Sequence, residues 1–182
     1  MPWVEVVPVV DYHVRSLCYA PYPGHEKHGC PNYGKKDRCP PKAPLIRDLI
    51  DLSKPCYAIY NVFDLGAFVE KMREKHPTWS YRQLSCCLYW QPGARRVLKD
   101  ELKGFAREHR GLVLLGTAEA CGVNWTETMK SVGIELQWPP TKFAYQIVLA
   151  GHPISDILRH SVPPGSVGFE DDRIEGSTRV PH

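Results

Sequence analysis

Three cysteines, Cys18, Cys30 and Cys39, fall within one stretch of chain from Arg15 to Pro44, RSLCYAPYPGHEKHGCPNYGKKDRCPPKAP, that carries almost no aliphatic residues. A segment so poor in apolar surface cannot by itself offset the entropy of being ordered. Three thiolates on one bound metal centre would hold it. Eleven residues separate Cys18 from Cys30 and eight separate Cys30 from Cys39, which is neither the paired C-x-x-C of a zinc ribbon nor the close run of bacterial ferredoxins. Wide spacing wraps a longer loop round its centre, which suits a multi-atom cluster at least as well as one small ion. Proline follows two of the three, in Cys30-Pro31 and Cys39-Pro40-Pro41. Proline fixes φ and removes a donor, giving stiff turns, and a Cys-Pro pair also closes ferredoxin cluster runs.

The other four cysteines divide. Cys121 follows the apolar run LVLLG in the loop TAEACGVNWTETMK, a position from which it could approach a site at the end of a strand, and it is the candidate fourth thiolate. Cys56 opens the apolar run CYAIYNVF and reads as a buried small hydrophobe. Cys86 and Cys87 are neighbours, so their side chains point in different directions and make poor joint ligands. His25 and His28 lie inside the loop and could ligate zinc. Between His25 and Lys42 there are five Lys or Arg against two acidic residues. Of these, Lys35, Lys36, Arg38 and Lys42 could steer an anionic small molecule or an RNA backbone, although a basic loop is more often simply solvated. Glu119, Asn124 and Glu127 surround Cys121 but are equally ordinary loop and capping residues, so no catalytic residue is assigned. The chain has no convincing Ser/His/Asp set, phosphate-binding glycine loop or dinucleotide fingerprint.

These elements together carry a resemblance. Arg15 before Cys18, then Cys30-Pro31-Asn32-Tyr33-Gly34, then Cys39-Pro40-Pro41, resembles the opening motif of a family of predicted metal-binding proteins of unknown function. The later segment ETMKSVGIEL, from Glu127 to Leu136, is similar to that family's closing pattern, a short helix and then Gly-Ile before a strand. The first gap is wider here, through the insertion YPGHEKHG, and the family's second cysteine cluster is reduced to Cys121. The resemblance implies metal binding and no particular reaction.

Two functions follow as expectations. In the first, Cys18, Cys30 and Cys39 hold a [4Fe-4S] cluster. With Cys121 as a fourth ligand the cluster is closed and suits electron transfer to a redox partner protein, sensing or structure. With Cys121 remote, one iron is open for Lewis-acid or redox chemistry on an anionic small molecule, as in an iron-sulfur lyase, desulfidase or oxidoreductase. In the second, the same cysteines with Cys121 or a loop His close a tetrahedral Zn2+ shell, and the basic loop is presented to nucleic acid or to a protein.

The elements that must position these residues are read from pattern. The chain has 182 residues, net charge +3, 43% hydrophobic and 24% charged residues, the composition of an ordinary globular protein. Residues 1–160 are expected to form one α/β or α+β domain, a central sheet of four to five strands flanked by helices, and 161–182, rich in Pro, Gly and charge, a poorly ordered tail. Strands are expected at Val4–Val10, Cys56–Phe63, Leu112–Gly116, Ile134–Gln137 and Phe143–Leu149. Helices are expected over LIRDLIDL after Pro44, after an Asp64 cap to before Pro77, within TWSYRQLSCCLYW, from Pro92 to His109, from an Asn124 or Thr126 cap to Gly133, and over Ile154–His160. No apolar run approaches a membrane helix and no secretory signal is read at the N-terminus, so the expected location is the cytoplasm. There, seven cysteines read as ligands or thiols rather than disulfides.

Overall fold

The computed structural model describes residues 2–21 and 29–154. Within them the fold is α+β. Four strands, β1 (Trp3–Val6), β2 (Cys56–Asp64), β3 (Val113–Leu115) and β4 (Phe143–Gly151), form one sheet in the order β1-β2-β4-β3. Every neighbouring pair is antiparallel. The long central pair runs in register from Tyr57 opposite Ala150 to Asp64 opposite Phe143.

Strand periodicity divides the side chains between two faces. Ile59, Val148 and Ala150 pack with Leu98, Leu102 and Phe105 of α3 (Cys87–Glu108). Ala58, Leu149 and Cys56 face the other way, into a cluster with Ile46, Ile50, Cys121, Val123 and Met129. A third cluster joins α1 (Leu65–Lys75), α2 (Tyr81–Leu84) and the start of α3 through Leu65, Val69, Leu84 and Trp90. Asp64 Oδ1 accepts the Ala67 N–H at 2.8 Å to start α1, and α2 opens with a reciprocal capping box between Ser80 and Gln83. The last helix among the described residues, α4 (Trp125–Lys130), is capped by Asn124, whose side chain accepts the Glu127 N–H at 3.2 Å.

Several elements differ from expectation for identifiable reasons. The first strand ends at Val6 rather than Val10, because Pro8 interrupts it. Val10 instead makes an isolated bridge to Val123. LIRDLIDL is not an α-helix but a short 3-10 turn, Ile46–Asp48. Ile46 and Ile50 are both buried, as i, i+4 spacing demands, but the next backbone groups bond the 152–154 segment. The Asp51 N–H donates to His152 O at 2.8 Å and Ile154 N–H to Leu49 O at 3.2 Å. Ile134–Gln137 is not a strand; Ile134 and Leu136 pack on the core from an irregular segment. Helix α3 starts at Cys87 rather than at Pro92, so Pro92 lies inside it, beyond the first-turn positions where a missing N–H costs nothing. His25, His28, most of Ile154–His160 and the whole 161–182 tail lie outside the described residues. No helix among those residues is long and apolar enough to cross a membrane.

Candidate functional site

The loop between β1 and β2 is closed by backbone hydrogen bonds at each cysteine. Cys18 ends a 3-10 turn, Tyr12–Cys18. The Cys30 N–H donates to Cys18 O at 2.7 Å and the Gly29 N–H to Tyr19 O at 3.1 Å. Cys18 and Cys30 are therefore neighbours, so a wide gap in sequence becomes a close approach in space. Gly29 is required there: a Cβ would collide with the Cys18 carbonyl oxygen and lie 2.6 Å from the Tyr19 carbonyl carbon. The Gly34 N–H reaches Pro40 O at 2.8 Å and Ala43 N–H reaches Cys39 O at 2.9 Å, which folds the Cys30 turn against the Cys39 turn.

A second set of bonds docks this loop on the end of β3. The Asp11 N–H donates to Gly122 O at 2.9 Å and the Asn124 N–H to Val9 O at 2.8 Å. The Val9 N–H donates to the buried Thr128 hydroxyl at 2.9 Å. Together they set the turn that ends in Cys18 beside the 3-10 turn Ala118–Cys121.

The result is a cavity of about 280 Å³ lined by Cys18, Cys30 and Cys39, by Lys36 and Arg38 of the same loop, and by Arg95 and Glu119 from elsewhere. Of the basic residues expected at a site, Lys36 and Arg38 reach the cavity; Lys35 and Lys42 are not in its lining, and Lys42 pairs with Asp37 at 3.5 Å on the surface. Cys121 is buried in the core cluster with Val123 and Met129 and does not line the cavity, whereas Glu119, two residues earlier on the same turn, does. Cys56 is likewise buried, Cys86 is half-buried and Cys87 exposed.

The thiols sense one another and their surroundings. Burial pushes the Cys18 thiol up, with further upward contributions from the negative charges of Glu119, Cys30 and Cys39, while Arg15 pulls it down. Burial also pushes the Cys39 thiol up, as does Cys30, and Arg38 and Lys36 oppose this. Cys121 is pushed up to about 11 by burial first and Glu119 second. The Glu119 carboxyl is open to the cavity but ringed by protein, and burial raises it above the usual carboxylate range against hydrogen bonds from its own backbone and from Trp125.

Arg15 ties the loop together from inside. Its Nη2 donates to Ala43 O at 2.8 Å and to Pro41 O at 3.2 Å, whereas Nη1 is buried with no hydrogen-bond partner. Buried polar groups are satisfied in the great majority of cases. A negatively charged centre on Cys18, three residues along the same turn, would supply the missing acceptor, so the donor set and this unpaired N–H fit a thiolate-bound group. Among the described residues no three or more His, Cys, Asp or Glu side chains are gathered to hold a metal ion as they stand. A centre common to the three thiols must draw them in from around the cavity.

Sequence reasoning found the three loop cysteines and two of the cations but missed Arg95, which lies on α3. Nothing in its local sequence sets it apart from Arg96 beside it. The chain matches no known protein family, no characterised protein and no solved structure.

Proposed function

We propose that this is an iron-sulfur protein in which Cys18, Cys30 and Cys39 hold a [4Fe-4S] cluster whose fourth position faces an anionic small molecule. The observation that carries the reading is the cavity itself, which all three cysteines line together with Lys36, Arg38 and Arg95. Cys121 belongs to the core cluster, and that favours an open fourth position over a closed one. Arg15 would neutralise part of the thiolate charge through its unpaired Nη1–H while its other nitrogen fixes the Pro41–Ala43 turn. Because thiols bind metal as thiolates, loading such a centre releases protons from Cys18 and Cys39, both of which hold theirs more tightly than usual. Bound there, the cluster would supply a Lewis-acidic or redox-active iron.

The test is anaerobic purification followed by iron, acid-labile sulfide and zinc analysis of the native chain and of C18S, C30S, C39S and C121A. About four irons and four sulfides per chain are expected, lost in each of the first three variants and kept in C121A. Zinc alone would overturn the cluster and select a zinc-stapled binding module instead, and iron lost equally in C121A would close the fourth position.

A further inference from the structure

The cations in this cavity do not come from one basic run. Lys36 and Arg38 belong to the cysteine loop, but Arg95 arrives from α3, more than fifty residues later in the chain. A solvated basic loop requires no such convergence. Arg95 is half-buried and held at one nitrogen, its Nη2 donating to Gln91 Oε1 at 3.2 Å one helical turn back. That contact engages one of the guanidinium's five N–H donors, and the residue lines the cavity. A guanidinium offers a planar fork that matches two oxygens of a carboxylate or phosphate. Asn32 and Thr117, also in the lining, add neutral polar groups around the same space.

Size narrows the occupant further. At about 280 Å³ the cavity lies at the small end of ligand clefts, which begin near 300 Å³ for drug-sized molecules. A small metabolite is of that scale.

We infer that the cavity is a binding site for a small dianionic oxyanion, a phosphate ester or a dicarboxylate, and that Arg95 is the residue that selects it, by forking two of its oxygens opposite the three cysteines with Lys36 and Arg38 adding charge. The inference rests on reading this cavity as the substrate site of the proposed centre, and it names the chemical class of that substrate. Glu119 is the counterweight. Its carboxyl shares the cavity and disfavours excess negative charge whenever it is ionised, so it limits what the cations would otherwise accept.

The test is calorimetric titration of the full-length chain, its iron content measured on the same sample, with inorganic phosphate, malonate and acetate, repeated on R95Q, R95K and E119Q. Phosphate or malonate is expected to bind at least about tenfold more tightly than acetate. R95Q is expected to lose about ten- to a hundredfold, the range for hydrogen bonds to a charged group. R95K is expected to recover only part of this, because an ammonium cannot fork, and E119Q to bind phosphate several-fold more tightly. Phosphate bound equally by R95Q and the native chain, as it would be if iron alone captured it, overturns the inference, and so does acetate binding as well as malonate. The two readings fail separately. An iron-free chain whose phosphate binding still depends on Arg95 keeps the anion site and loses the cluster, whereas an iron-loaded chain indifferent to R95Q keeps the cluster and loses the anion site.

Discussion

Gly122 joins the two halves of the site, and replacing it with alanine should cost stability in two separable parts. It follows the 3-10 turn that carries Glu119 and Cys121, at φ 102° and ψ 18°, a left-handed conformation that costs a residue with a Cβ about 1–2 kcal/mol. The added methyl would also strike the Tyr12 ring, with Cε1 only 2.8 Å away. Tyr12 is not free to swing aside without loss, because the Arg47 guanidinium lies over its ring at 5.6 Å. Overpacking of this kind costs about 1–3 kcal/mol. G122A should therefore lower stability by about 2–5 kcal/mol in urea denaturation, read as a shifted midpoint at constant slope. The double variant separates the parts. In a Y12A background only the backbone strain remains, so G122A should cost about 1–2 kcal/mol, leaving a coupling of about 1–3 kcal/mol between the two positions. A loss below about 0.5 kcal/mol, within the range of neutral surface changes, would refute the strain argument, and the absence of coupling would refute the contact with Tyr12. Because Tyr12 opens the turn that ends in Cys18, G122A should also speed alkylation of Cys18 relative to Cys56.

Two further outcomes follow from buried groups. R15Q removes the donors to Pro41 O and Ala43 O and should cost about 1.5–3 kcal/mol, with faster labelling of Cys39 as the loop end comes loose; unchanged Cys39 reactivity would show that Arg15 does not tether that turn. Burial, with help from Asp51 and Glu5, pushes the Cys56 thiol from 9.0 to about 11, so the folded state keeps its proton at a pH where the unfolded chain has lost it. That contribution to stability is complete below about pH 8 and disappears as pH rises through 9 towards 11. Between pH 8 and pH 10.5 the native chain should lose about 2 kcal/mol more than C56A in paired urea titrations, and equal losses would exclude Cys56 as the cause.

How much of this was legible in sequence depended on which force shaped each part. The α1 helix was readable from Asp64 and its apolar stripe, and α4 from Asn124 and Gly133, because caps are local chemistry written at fixed positions. The central strands Cys56–Asp64 and Phe143–Gly151 were readable as apolar runs. The 45–52 segment failed because its two buried isoleucines satisfy helix and non-helix equally, and the choice was made by a partner a hundred residues away at His152. At the site, Cys18, Cys30 and Cys39 were legible as residue types with stiffening prolines. Glu119 and Cys121 were not separable, because which of two residues on one short turn enters a cavity and which enters the core depends on where the N-terminal segment docks.

That docking also changes what holds the cysteine loop. Its poverty in apolar residues suggested that a metal centre must do all the work of ordering it. Yet the loop is anchored at both ends by residues outside its polar middle. Before it, the 9–12 segment is bonded to Gly122, Asn124 and Thr128; after it, Ala43, Ile46 and Ile50 are buried. Between those anchors the turns are pinned to one another at Cys18–Cys30 and Gly34–Pro40 and from within by Arg15. These bonds set three thiols around one cavity, so a ligand of those thiols would not have to supply all of the loop's ordering. A centre held by these three thiols would therefore not be what folds the chain: the anchors at 9–12 and 43–50 order the loop through contacts that involve none of them.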